Sequence, residues 1–206
     1  MRAWHFVGEG RRLGYGDGTT VAPGYTYTWD GPLVLCRTGL HASVRPLDAL
    51  KYAPGPIVCR VECGGAVVDG DDKIVCSSRE VLWMADAAPV LRHFARLCAL
   101  DVVHLWDAPE IVVRYLRTGD EAARAAARAA ARDAARTAAS GAASGAAGGA
   151  ASAAARDAAS GAAWNAASGA AWDAARDAAW AAARTALDAQ NRRLGRMLSA
   201  APRETP

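Results

Sequence analysis

The chain reads as an α+β protein: a small, mainly β N-terminal domain followed by helices, then an alanine-rich region forming a helical hairpin or one long helix. Three observations predict this. Short runs of aromatic and β-branched residues, punctuated by Gly, Asp and Pro, fill roughly the first 80 positions. Apolar residues at helical spacing take over from about Ala87. From Ala122 a four-residue register built on Ala-Ala pairs runs almost to the end. The implied boundaries are a head domain at 1–119, a repeat region at 120–198 and a disordered tail at 199–206.

Taken in order, R-A-W-H-F-V at 2–7, T-Y-T-W at 26–29 and P-L-V-L-C at 32–36 have strand composition. G-Y-G-D-G at 14–18 is expected as a tight turn, since it lacks the spacing and the following helix of a phosphate-cradling loop. P-L-D-A-L-K-Y-A-P-G at 46–55 predicts one short helix, with Leu47, Leu50 and Tyr52 turned inward and Pro54-Gly55 ending it. In the next run Ile57, Cys59, Val61 and Cys63 alternate with Val58, Arg60 and Glu62, which places both cysteines on one strand face. Cysteine is among the most buried residue types, so both are expected in the core rather than on a metal.

After a turn at Gly70-Asp71-Asp72, K-I-V-C-S-S predicts another strand. A helix follows from about Ala87, capped by Asp86, with Val90, Leu91, Phe94, Leu97 and Cys98 recurring at helical spacing. A second helix starts after Asp107, carries Pro109 in its first turn, buries Ile111, Val112, Tyr115 and Leu116, and stops at Gly119. Strands first and helices afterwards is the order of an α+β domain.

A formal charge of +3 on 206 residues shows no concentrated basic face, so neither nucleic acid nor a membrane surface is an expected partner. Cys36, Cys59, Cys63, Cys76 and Cys98 are odd in number and follow an N-terminus without the apolar core of a signal peptide, which points to a reduced, cytoplasmic protein. No apolar run approaches the ~20 residues needed to span a bilayer.

G-L-H-A-S at 39–43, P-L-D-A-L-K-Y at 46–52 and G-G-A-V-V-D-G-D-D-K-I-V at 64–75 together resemble an uncharacterised domain family found in bacterial and phage proteins. That resemblance covers roughly residues 1–80 and implies no chemistry. A more distant similarity is to the ADP-ribosyltransferase-like fold. It implies NAD as cofactor, with His5 contacting the nicotinamide ribose, Tyr52 stacking on the nicotinamide, and Glu80 stabilising the oxocarbenium-like transition state. Ser78 stands where many such enzymes carry a second acidic residue. His41, flanked by a turn and small residues, is the other candidate binding residue, since imidazole exchanges a proton near neutral pH. Cys36, His41, Cys59 and Cys63 do not have a familiar zinc spacing, so no metal is expected.

Alanine favours helix throughout the repeats, and each glycine opposes it by ~1 kcal/mol. Gly141, Gly145, Gly148 and Gly149 therefore predict a break near 140–150 between two helical arms. Four residues advance a helix by ~400°, so the repeat drifts ~40° per unit and the Ala-Ala stripe cannot face one straight partner. Trp164, Trp172 and Trp180 consequently point several ways, and are candidate contacts for a surrounding partner. The tract is read as a spacer, as a self-assembly or docking element, or as a nucleic-acid or ice binder, the drift opposing the flat face that ice would require. The leading expectation is a non-catalytic, phage- or mobile-element-type binding or assembly protein without a cofactor, self-associating or docking a protein partner through its alanine-rich helices. The alternative is the NAD-dependent transferase.

Overall fold

The structure, a computed structural model, describes residues 1–13, 18–101, 103–105, 107–134, 136–137 and 183–206. It is α+β, with an antiparallel sheet followed by helices. Its compact units follow contacts rather than composition: one comprises Met1–Phe94 together with Asp188–Pro206, the other Ala95–Leu187.

In the first unit, β1 (Arg2–Val7) pairs with β4 (Ile57–Asp69), and β4 pairs with β5 (Ile74–Asp86). The far edge of β5 takes β2 (Thr26–Thr28) and β3 (Leu40–Ala42), all antiparallel. Beyond β3, the Trp4 amide donates to the Ser43 carbonyl at 2.8 Å and the Ser43 amide donates back to Trp4 at 2.9 Å. β1, β4, β5 and β3 therefore close into a ring at this one bridge, which occupies part of the edge that β1 and β3 would otherwise offer to a stray strand. Ala3, Val7, Ala42, Cys59, Val61, Cys76 and Met84 belong to the buried cluster on the face these strands share.

The alternation predicted for β4 holds from Cys59 to Cys63, whereas Val58, expected with Arg60 and Glu62 on the opposite face, is fully buried too. On β5 it slips twice: Leu82 stands between the partners of Val61 and Arg60, and a second irregularity lies between Gly64 and Val67. Such bulges re-aim side chains. Here they turn Cys76, Arg79, Val81 and Met84 all inward, although those positions share no single period of two.

Residues 32–36 do not form the expected strand. The amides of Arg37 and Thr38 both donate to the Val34 carbonyl, at 3.0 and 2.9 Å, and Cys36 adopts a left-handed φ of 65°. Pro32 has no amide to lend a ladder, and the chain must reverse here to deliver β3. Helix α1 (Pro46–Lys51) forms as expected, but its buried residues are Pro46, Asp48 and Ala49, while Tyr52 is 51 % exposed. A buried carboxylate is tolerated because Arg45 and Lys51 donate to Asp48 from either side, at 2.5 and 2.9 Å.

Helix α2 (Ala88–Asp101) is capped by Asp86, whose Oδ1 accepts from the Ala88 amide at 2.8 Å. Helix α3 (Glu110–Thr118) ends at Gly119 in the left-handed region, whose amide donates to Tyr115. Residues 121–134 are helical (α4), with Ala123 and Ala127 buried one turn apart. The expected break at 140–150 and the three repeat tryptophans lie outside the described residues.

Residues 183–200 form a last helix, α5, whose Leu194 and Leu198 are fully buried in the first unit. Asn191 Oδ1 accepts the Leu47 amide at 3.0 Å, which satisfies a donor that the first turn of α1 leaves open. The end of the chain is not the disordered tail that its composition implied. Met84 and Glu204 exchange backbone hydrogen bonds at 3.0 and 2.8 Å, and Arg11 grips the Glu204 carboxylate through two bonds of 2.6 Å. An extended partner strand and a bidentate ion pair are contacts that local composition cannot announce. No helix among the described residues is long and apolar enough to cross a membrane.

Candidate functional site

The G-L-H-A-S segment carries the densest chemistry, because β3 presents one side to solvent and the other to the ring. Gly39 enters it with φ 103°, a conformation that side chains avoid. His41 follows. Its Nε2 accepts the Cys36 amide at 3.0 Å, so Nδ1 carries the proton and donates to the Gly39 carbonyl at 3.1 Å. The neutral imidazole thus has one acceptor and one donor engaged, and it fastens the reversal at 34–38 to β3.

Beside it, Lys73 Nζ reaches Cys36 Sγ at 3.2 Å and lies 3.6 Å over the Tyr52 ring. Tyr52 donates its hydroxyl to Asp72 at 2.8 Å. That bond, with Lys51 and Lys73 nearby, holds the Asp72 carboxyl below its ordinary range. Lys73 is raised in turn by Tyr52 and Cys36.

On the inner side, the His41 carbonyl accepts from Arg79 Nη1 at 2.6 Å. Arg79 is 2 % exposed, and its Nε has no hydrogen-bond partner among the described residues. Burial lowers its pKa, which the adjoining Cys59, Cys63, Cys76 and Tyr27 partly offset. It stands in a cross-strand row with Tyr27 on β2 and Cys63 on β4. Burial pushes the Cys59 thiol up to about 12. A hydrogen bond to Cys76, with burial, pushes Cys63 up; the same bond pulls Cys76 down, and Cys76 itself donates to the Leu40 carbonyl at 3.3 Å. The interior is therefore a thiol-lined space around one dehydrated cation.

The candidate residues fall into three surroundings. His5 sits opposite Cys59 on β4, where burial first, then Arg79 and His41, hold its pKa well below the ordinary value. Tyr52 lies on the outside against Lys73 and Asp72. Glu80 is exposed, opposite Glu62 and Thr26, about 20 Å of strand beyond Ile74. His5 and His41 are brought near one another around Arg79; Tyr52 and Glu80 do not join them. Trp164, Trp172 and Trp180 lie outside the described residues. Among the described residues no group of three or more His, Cys, Asp and Glu side chains is arranged to hold a metal ion. Sequence reasoning missed Arg79, Lys73 and the role of Cys36. A charged residue inside a run that also contains Glu80 was the available signal for Arg79, since neighbours on a strand face opposite ways.

The two histidines predict a pH dependence. Both are lowered, chiefly by burial, from an ordinary 6.5. The unfolded chain therefore binds protons first: stability is complete above about pH 6.5 and falls as pH drops through the interval below it. Thermal melting at about pH 7.5 and about pH 5.5 should show the lower midpoint at the acid end, with a smaller drop in His5→Gln. Equal midpoints in the native chain would contradict it.

No curated protein and no solved structure matches the chain. Residues 11–93, which hold the reversal, β3, α1, β4, β5 and the start of α2, match the family model described as a domain of unknown function, DUF7666, so the N-terminal region carries a domain of that uncharacterised family.

Proposed function

We propose that the protein is a non-catalytic binding or assembly protein of the type carried by phages or mobile elements, acting in the cytoplasm. Its head holds an alanine-rich segment by both ends for packing or self-association. The observation that carries this reading is the return of the chain: Asp188–Pro206 belongs to the same compact unit as Met1–Phe94. A tract that leaves one folded body and comes back to it is presented by that body, whereas a spacer would lead away to something else. The separate surroundings of His5, Tyr52 and Glu80 support a role without catalysis, and five cysteines outside any disulfide fit a reducing compartment. In this reading Trp164, Trp172 and Trp180 are the contacts between copies.

Sedimentation velocity of the full chain at micromolar concentrations tests it. The native chain should self-associate, and the triple variant Trp164→Ala, Trp172→Ala, Trp180→Ala should shift to monomer with an unchanged melting profile. A strict monomer across the concentration range would reject self-association.

A further inference from the structure

Trp4 and Trp83 meet edge to face on the outer side of the ring, their centroids 5.9 Å apart and their planes at 82°. Arg60 on β4 lies 4.5 Å over the Trp4 ring, and Arg203 in the last segment lies 5.5 Å over Trp83. Helix α5 adds Arg192 and Arg196, one turn apart, which with Trp4 line a shallow depression of about 540 Å³. Gly195 faces the Trp4 indole and Pro46 from between them. Four guanidiniums from β4 and from the end of the chain thus surround one aromatic pair.

None of the four is ion-paired among the described residues. Glu62, the acid that acts on Arg60, is already engaged by the N-terminal ammonium at 2.8 Å and by Arg2 at 3.5 Å. Glu204 is taken by Arg11. Arg60 Nη1 is buried and, among the described residues, has no hydrogen-bond partner. The tryptophans, 6 % and 9 % exposed, offer almost no ring surface for stacking. They brace the guanidiniums instead, and a braced, unpaired guanidinium fork matches phosphate oxygens.

We infer that this face binds nucleic acid through its phosphodiester backbone, with Arg60, Arg192, Arg196 and Arg203 as the contacts and without reading base sequence. Buried rings leave bases nothing to stack on, so the backbone is the part of the polymer the face can hold. This role goes beyond the assembly role of the alanine-rich segment and does not depend on it. Folding gathers arginines from positions 60, 192, 196 and 203 onto one face and ties Glu62 and Glu204 elsewhere, so a chain of net charge +3 can still carry a basic site.

Fluorescence anisotropy on the full chain tests it, with unrelated duplexes of about 20 base pairs as probes and polyglutamate as competitor. With four phosphate contacts, duplex affinity should fall about 50-fold between about 50 and about 150 mM salt, whatever the base sequence. Arg192→Gln with Arg196→Gln should weaken binding at low salt and reduce that fall to about sevenfold, whereas the double Lys variant should retain most of it. Arg124→Gln with Arg128→Gln, on α4, should change nothing. An unchanged melting profile and near-ultraviolet tryptophan spectrum show that the head of each variant is folded. No duplex binding at low salt, binding indifferent to Arg192 and Arg196, or displacement by polyglutamate as effective as by unlabelled duplex would each overturn the proposal; the last would assign the face to an acidic protein.

Discussion

Gly39→Ala is expected to lower the stability of the head by about 3 to 5 kcal/mol, since a left-handed backbone and an overfilled site are each costly for a side chain. Gly39 holds φ 103°, and a Cβ there would overlap the Val75 Cγ2 methyl and come within 2.8 Å of Leu33 Cδ2. Val75 is fully buried on β5 and cannot retreat. The displaced strand would be β3, whose Ser43 end closes the ring against Trp4, so the loss should appear as one cooperative transition at lower denaturant. Urea unfolding followed by tryptophan fluorescence checks it. A loss below about 1 kcal/mol would show that β3 can shift without cost and that the G-L-H-A-S segment has no steric need for glycine.

Arg79 separates volume from charge. Arg79→Ala should cost about 3 to 5 kcal/mol, because it empties a large buried site and orphans the His41 carbonyl. Arg79→Met also orphans that carbonyl but should cost clearly less, about 1 to 2 kcal/mol, because it fills most of the same space and removes a dehydrated cation that no carboxylate neutralises. Denaturant titration of both variants at neutral pH distinguishes the cases. If methionine proves as damaging as alanine, the guanidinium itself holds the ring, through its bond to His41 and its attraction to the surrounding sulfurs.

The parts of this fold that local pattern specifies were legible. Alternation marked β4 from Cys59 to Cys63, and helix signals at Asp86, Pro109 and Gly119 marked α2 and α3, because those elements are fixed by residues a few positions apart. What depended on distant partners was not. Arg79 is inward only because the ladder slips at two bulges, and a bulge leaves a weak local trace. Leu194 and Leu198 show helical spacing, yet nothing near them says that their partner is the first unit. The candidate site was half legible: His41 stood out by its setting between a turn and small residues, whereas Lys73 and Cys36 are separated by 37 positions and meet only after the reversal at 34–38 forms.

The anchoring of the chain's last segment has a kinetic consequence during synthesis. Met84 cannot bond to Glu204, nor the α1 amide to Asn191, until those residues have been made. The intervening segment, Ala95–Leu187, takes a ribosome about 5 to 20 s to translate. For that interval the nascent head carries its strands but not the helix that covers Trp4, leaving an indole surface open to chaperones or to a second nascent chain. Completion of the head therefore waits on the synthesis of Asp188–Pro206, delayed by the length of the segment that precedes it.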